Sequence, residues 1–218
     1  MRLPSLKAWR SILPVVGILL WAGCAVVPRD EGTDPDYFPL EIGSLWAYAA
    51  FDPNGRQMGE PVTYRVVTTS TSGKTVIYYR EYSLRTSFQE AFYKDVTGVY
   101  TVGDAGDLQE RRIAYPVVLD QEWEFAQPRV VMDSSGRETA RYFRRAKVVA
   151  KERVTLFNGL KFEESLKVLY TTEGPSRPAE LLRWYAPEVG VVREMRLFVP
   201  NTVTELTEFY LTPKKGQK

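Results

Sequence analysis

The 218-residue chain contains no histidine and a single cysteine. Without histidine, the usual Ser-His and Cys-His nucleophile pairs cannot form, and no imidazole-ligated metal site exists. One cysteine cannot close a disulfide within the chain, so packing has to hold the fold. Neither charge sign dominates: 29 Lys+Arg stand against 27 Asp+Glu. That balance argues against broad electrostatic attraction to nucleic acid, and no such partner is expected. Long apolar runs are scarce. The one marked run covers residues 12–22, short of the ~20 apolar residues that span a bilayer, and Pro14 interrupts it. Helical periodicity is scarce as well. After residue 30 only Gln89-Glu90-Ala91-Phe92 and Ala179-Glu180-Leu181-Leu182 suggest short helices.

What stands at the N-terminus is more specific. Arg2, Lys7 and Arg10 precede the apolar run, which is the layout of a secretory signal peptide over residues 1–23. The run closes as Leu19-Leu20-Trp21-Ala22-Gly23-Cys24. This ending resembles the lipobox of bacterial lipoproteins, with Trp21 where an aliphatic residue is usual. The resemblance implies cleavage before Cys24, diacylglycerol on its thiol and acylation, of palmitate type, at the new N-terminus. Several acyl chains on one residue meet the requirement for stable anchoring that one chain does not. By the same resemblance, Ala25 directs the protein to the outer membrane, facing the periplasm. Residues 1–23 hold three basic residues and no acidic ones, so the mature chain has 26 Lys+Arg against 27 Asp+Glu. Its membrane partner is reached through the lipid rather than through net charge.

Residues 24–36 read as a flexible tether. Pro28, Gly32, Pro35 and four acidic residues leave little apolar surface to offset ordering. From residue 37 the signals are β. Strands are expected at 44–51, 62–69, 75–84, 87–95, 99–103, 122–126, 129–133, 138–155, 161–172, 181–186, 191–198 and 202–211, with 104–110 as a loop. Asp52-Pro53-Asn54-Gly55 and Asn158-Gly159 carry turn chemistry. The fold class is all-β: an antiparallel meander forming a curved sheet, open barrel or sandwich over 37–212, followed by a polar tail at 213–218.

A weak internal repeat runs through this domain. Phe38-Pro39-Leu40-Glu41-Ile42-Gly43-Ser44-Leu45-Trp46-Ala47-Tyr48 aligns without gaps to Tyr115-Pro116-Val117-Val118-Leu119-Asp120-Gln121-Glu122-Trp123-Glu124-Phe125. Each copy would open a meander, 37–110 and 113–212; recurrence of a common strand-opening pattern explains the match equally well. The chain also resembles a widespread group of bacterial exported proteins. These carry a Tyr-x-Pro-Leu-x-x-Gly-x-x-Trp-x-Tyr opening and a late Trp-Tyr-Ala-x-x-Val-Gly segment. Here the matching residues are Tyr37-Phe38-Pro39-Leu40, Gly43, Trp46 and Tyr48, and Trp184-Tyr185-Ala186 through Val189-Gly190. The resemblance implies an all-β, lipoprotein-like domain and no established activity. A similar outline, in architecture only, occurs in periplasmic lipid carriers.

Three sets of candidate site residues follow. Trp46, Trp123 and Trp184 could stack sugars or shelter acyl chains, or simply fill the core. Arg137, Arg141, Arg145, Lys147, Lys151 and Arg153 share one strand parity. They form either an anionic-surface contact or a solvated face. Carboxylates such as Glu122 and Glu124 are the remaining catalytic candidates, and a glycosidase needs two across a cleft. Same-face strand neighbours meet that spacing trivially, so no catalytic residue is assigned. No metal site is assigned, since the turns at 52–55 and 104–107 lack the full calcium-loop spacing, and no cofactor is expected. The reading is a lipid-anchored, non-enzymatic binding or structural module of the cell envelope, with an envelope protein or a lipid or glycan as partner. A carboxylate-dependent glycan hydrolase and an assembly or pilot lipoprotein of a secretion machine are the alternatives.

Overall fold

The computed structural model describes residues 34–213 apart from 73–74, 84–86, 104–107, 176–177 and 198–201. Cys24, the signal segment, most of the tether, the tail beyond residue 213 and the 104–107 turn lie outside the described residues. Twelve strands make up the domain: β1 (Leu45–Phe51), β2 (Gln57–Ser72), β3 (Thr75–Ser83), β4 (Ser87–Lys94), β5 (Gly98–Val102), β6 (Leu108–Ala114), β7 (Glu122–Met132), β8 (Glu138–Thr155), β9 (Lys161–Glu173), β10 (Ala179–Ala186), β11 (Gly190–Arg196) and β12 (Val203–Tyr210). Each strand pairs antiparallel with the next, and β1 pairs with β12, so the meander closes into a barrel. Closure removes both sheet edges. Of the outlines compatible with the sequence, the chain adopts a fully closed one.

Three local expectations change. The short helical candidates at 89–92 and 179–182 lie inside β4 and β10. Cross-strand pairing there overrides a weak local preference. Segments 122–126 and 129–133 fall in one irregular strand, β7. The expected loop at 104–110 overlaps the start of β6. The sequence Leu-Gln-Glu-Arg-Arg-Ile-Ala hides that strand, because alternation fails where the inward side chains are themselves polar.

The chain begins its described course as a plug. Tyr37, Phe38 and Leu40 are buried in the core. The Asp34 carboxylate accepts from Val117 N at 2.8 Å, and Asp36 pairs with Lys94 at 2.5 Å and accepts from Glu188 N at 2.7 Å. Lys94 ends β4, Val117 lies between β6 and β7, and Glu188 sits in the β10–β11 turn. Strand direction alternates, so these three places share one end of the barrel, which the plug closes.

The outer face carries a second layer. Registered neighbours Ala49, Glu205, Arg193, Trp184 and Lys167 run across β1, β12, β11, β10 and β9 on the side away from the lumen. Glu205 is nevertheless 1% exposed. The end of the long β8–β9 hairpin covers this row. Phe157 N donates to Glu205 Oε2 at 2.6 Å, Arg193 donates to Thr155 O at 2.6 Å, and Asn158 Nδ2 reaches Leu206 O at 3.1 Å. Phe157 also meets Phe51 at 5.2 Å between ring centroids. Arg193 pairs with Glu205 at 2.5 Å, so the buried carboxylate is matched.

Candidate binding cavity

The inner counterpart of that row is polar. Ala50, Thr204, Glu194 and Arg183 are registered across β1, β12, β11 and β10, and all four face a cavity of about 540 Å³. That volume lies within the usual range for small-molecule sites. Phe38 from the plug, with Phe92 and Tyr185, joins the cavity to the core. Met58, Gly59, Glu60 and Arg196, all exposed, rim its mouth at the end opposite the plug.

Two cross-strand ion pairs line the wall. Arg80 on β3 stands opposite Glu90 on β4, and their side chains meet at 2.5 Å. Arg183 on β10 stands opposite Glu194 on β11 at 2.7 Å. Between them runs a ladder of tyrosines. Tyr48 and Tyr64 meet edge to face at 5.4 Å, and Tyr64 and Tyr82 lie tilted by 31° at 5.4 Å. The Arg80 guanidinium lies 4.6 Å from the Tyr64 ring centre and 4.8 Å from that of Phe92, a cation–π arrangement that fixes its position. Burial pushes the Tyr48 phenol far above its ordinary range, with Arg80 and Arg183 pulling it partly back. Burial would lower the Arg183 pKa, but its surroundings, with the Glu194 carboxylate on its Nε, outweigh that and raise it.

None of the three tryptophans lines this cavity. Each is buried with its indole N–H satisfied: Trp46 by Val189 O at 2.7 Å, Trp123 by Arg111 O at 2.8 Å, and Trp184 by Glu152 Oε1 at 2.7 Å. All three belong to the buried core cluster, Trp184 joining it from the row registered with Arg193 and Lys167. The cavity instead takes the aromatic two positions after Trp46, namely Tyr48. The late segment meets the opening one: Trp46 Nε1 bonds Val189 O, and the Tyr48 hydroxyl donates to Val191 O at 2.8 Å.

The six basic residues lie on or next to β8, and the alternation of buried and exposed positions turns them outward. Four are ion-paired: Arg137 with Asp133, Arg141 with Glu138, Lys147 with Asp120 and Glu122, and Arg153 with Glu163. Arg145 and Lys151 make no ion pair among the described residues. Glu122 and Glu124 also face outward, away from the cavity.

Arg80, Glu90, Arg183 and Glu194 are what a search for tryptophans and charge stripes passes over. A signal for two of them exists in the sequence. Arg80 interrupts the one-parity row Tyr78-x-Arg80-x-Tyr82, and Arg183 interrupts Leu181-x-Arg183-x-Tyr185. A charge at an inward parity position marks a polar lumen.

The sequence matches no protein-family model. Solved structures match the fold. One, from Bacteroides fragilis, is provisionally described as an exported protein with YmcC-like fold; it superposes with a TM-score of 0.54 at 16% identity, over 82% of this chain and 100% of that one. The chain has the YmcC-like fold. A second structure, provisionally described as a lipoprotein from Parabacteroides distasonis, gives a TM-score of 0.51 at 16% identity, over 81% of this chain and 99% of that one. Within this YmcC-like barrel the cavity is built from this chain's own inward residues, and identity this low leaves its chemistry to be read from them.

Proposed function

We propose that the chain is an exported, Cys24-anchored protein of the bacterial envelope whose barrel cavity binds a polar, ring-bearing ligand, a segment of glycan, without chemical turnover. The observation that carries this reading is the cavity wall. Tyr48 and Tyr64 offer ring surface between the Arg80–Glu90 and Arg183–Glu194 pairs, with Phe92 packed against the Arg80 guanidinium. Sugar rings present an apolar face for such surfaces and hydroxyls for carboxylate acceptors and guanidinium donors. An acyl chain would bury the same two ion pairs under methylenes, at several kcal/mol per ion. The lipobox resemblance and the descriptions of the two structural neighbours support the envelope location.

The test is calorimetric titration of the full chain, purified in detergent, with chitotetraose, maltotetraose and sodium oleate. Binding of at least one oligosaccharide is expected, with affinity falling at least tenfold in Tyr64→Ala, which corresponds to ~1.4 kcal/mol. Oleate binding inside the barrel, with no saccharide binding, would overturn the reading.

A further inference from the structure

We infer that Arg80 and Arg183 form an oxyanion subsite in the cavity wall, a place for a carboxylate or phosphate group on the bound ligand. The inference rests on the cavity being a site for a polar ligand and adds what that ligand must carry. It starts from the donors left over. Arg80 directs Nε and Nη2 onto one oxygen, Glu90 Oε2, at 3.2 and 2.5 Å. Its Nη1 has no hydrogen bond among the described residues. Arg183 directs Nε alone onto Glu194 Oε2 at 2.7 Å, and neither terminal nitrogen has a hydrogen bond among the described residues. The two terminal nitrogens of Arg183 match the two oxygens of a carboxylate or phosphate, which a hydroxyl cannot do, and Arg80 adds a single charged donor through Nη1.

The local charge points the same way. Glu194 serves two arginines, Arg183 at 2.7 Å and Arg196 at 3.7 Å. Glu110 likewise stands between Arg112 at 3.0 Å and Arg144 at 3.6 Å. Arg112 lines the cavity too, and its buried Nε has no hydrogen-bond partner among the described residues. Of the lining residues, four are arginine and three are glutamate; Arg196 and Glu60 are at the exposed rim, which leaves Arg80, Arg112 and Arg183 with Glu90 and Glu194 on the enclosed wall. The enclosed wall therefore has more positive groups than carboxylates to match them, and a cleft walled by low-dielectric material concentrates that surplus. Tyr48, Arg80 and Arg183 line the same cavity. The Tyr48 hydroxyl is already committed to Val191 O. The outer basic row lacks this character, since most of its cations are paired and all lie on an open surface.

The test uses thermal melting of the full chain in detergent, in sodium phosphate, sodium acetate and sodium chloride at equal ionic strength. An anion that binds only the folded state raises the midpoint, here by at least about 3 °C over chloride. That increment is expected to vanish in Arg183→Gln/Glu194→Gln and in Arg80→Gln/Glu90→Gln, double variants that leave no orphaned carboxylate. It should persist in Arg145→Gln on the outer face. The reading is the increment rather than the absolute midpoint, so a general loss of stability does not mimic the result. Stabilisation by phosphate alone identifies a phosphate group, by acetate alone a carboxylate, and by both a site open to either. No increment over chloride, or the same increment in both double variants, overturns the subsite. If that happens while a neutral oligosaccharide still binds, the cavity reading stands without it. If the anion increment holds and no saccharide binds, the subsite stands and the glycan reading falls.

Discussion

At Tyr37 a phenol is packed into the core, and its hydroxyl oxygen has no hydrogen-bond partner among the described residues. An orphaned buried hydroxyl costs about 1–3 kcal/mol, so Tyr37→Phe is expected to stabilise the domain by about 1 kcal/mol at neutral pH. Burial, helped by Asp34 and Glu164, pushes this phenol up from 10.0 to about 12. Below pH 10 the folded and unfolded chains both hold the proton, and the contribution is fully present. Between pH 10 and about 12 the unfolded chain has released it and the folded chain has not, so stability falls as pH rises through that window. Burial raises Tyr48, Tyr64 and Tyr170 in the same direction, so the native protein should lose stability steeply in alkali. Urea unfolding at pH 8 to 11 should show a shallower loss for Tyr37→Phe than for the native chain; an unchanged slope would remove Tyr37 from the account.

Among the elements, the two Trp-bearing lead-ins share a geometry that their sequences only partly share. Gly43 N donates to Val66 O, and Asp120 N donates to Val148 O; Val66 N then bonds Ser44 O, and Val148 N bonds Gln121 O. Both turn residues have positive φ, 93° at Gly43 and 63° at Asp120. Glycine adopts that region without cost, and aspartate is among the side chains that tolerate it. A Cβ on Gly43 would also sit 3.0 Å from Thr212 Oγ1. Gly43→Ala is thus expected to cost about 1–2 kcal/mol, and Asp120→Gly to change stability by less than about 0.5 kcal/mol, both read by chemical denaturation. The all-β class and most strands were legible because turn residues and alternating aromatics recur along the chain. The aromatic at the end of each lead-in was legible too, through its spacing from the tryptophan. What stayed hidden was set by pairing across distant sequence. β6 lacks apolar alternation because Glu110 and Arg112 line a polar pocket, and the indole of Trp184 is satisfied by Glu152 of β8, two strands away. Neither fact is local.

On the scale of the whole barrel, closure is uneven. β8 and β9 share eleven registered pairs, and β3 and β4 share seven, but β6 and β7 share one, Glu110 with Ala126. β6 carbonyls here are met by side chains instead of a ladder. Trp123 Nε1 donates to Arg111 O at 2.8 Å, and the Tyr170 hydroxyl donates to Arg112 O. Arg144 adds a bond to Gln127 O at 3.1 Å and reaches Glu110 at 3.6 Å. Beside this seam Arg111, Arg112 and Arg144 each keep a buried Nε with no hydrogen-bond partner among the described residues. A joint made of side chains opens at lower free energy than a continuous ladder, because local opening there breaks fewer backbone hydrogen bonds. Amide exchange should therefore be faster in β6 and β7 than in β8 and β9. Tyr170→Phe leaves Arg112 O unmet, a loss of about 1–3 kcal/mol, and is expected to speed exchange at β6 at least tenfold while leaving β2 and β3 unchanged. Uniform acceleration around the barrel would mean instead that the twelve strands open as one unit, with the β6–β7 joint as firm as the rest.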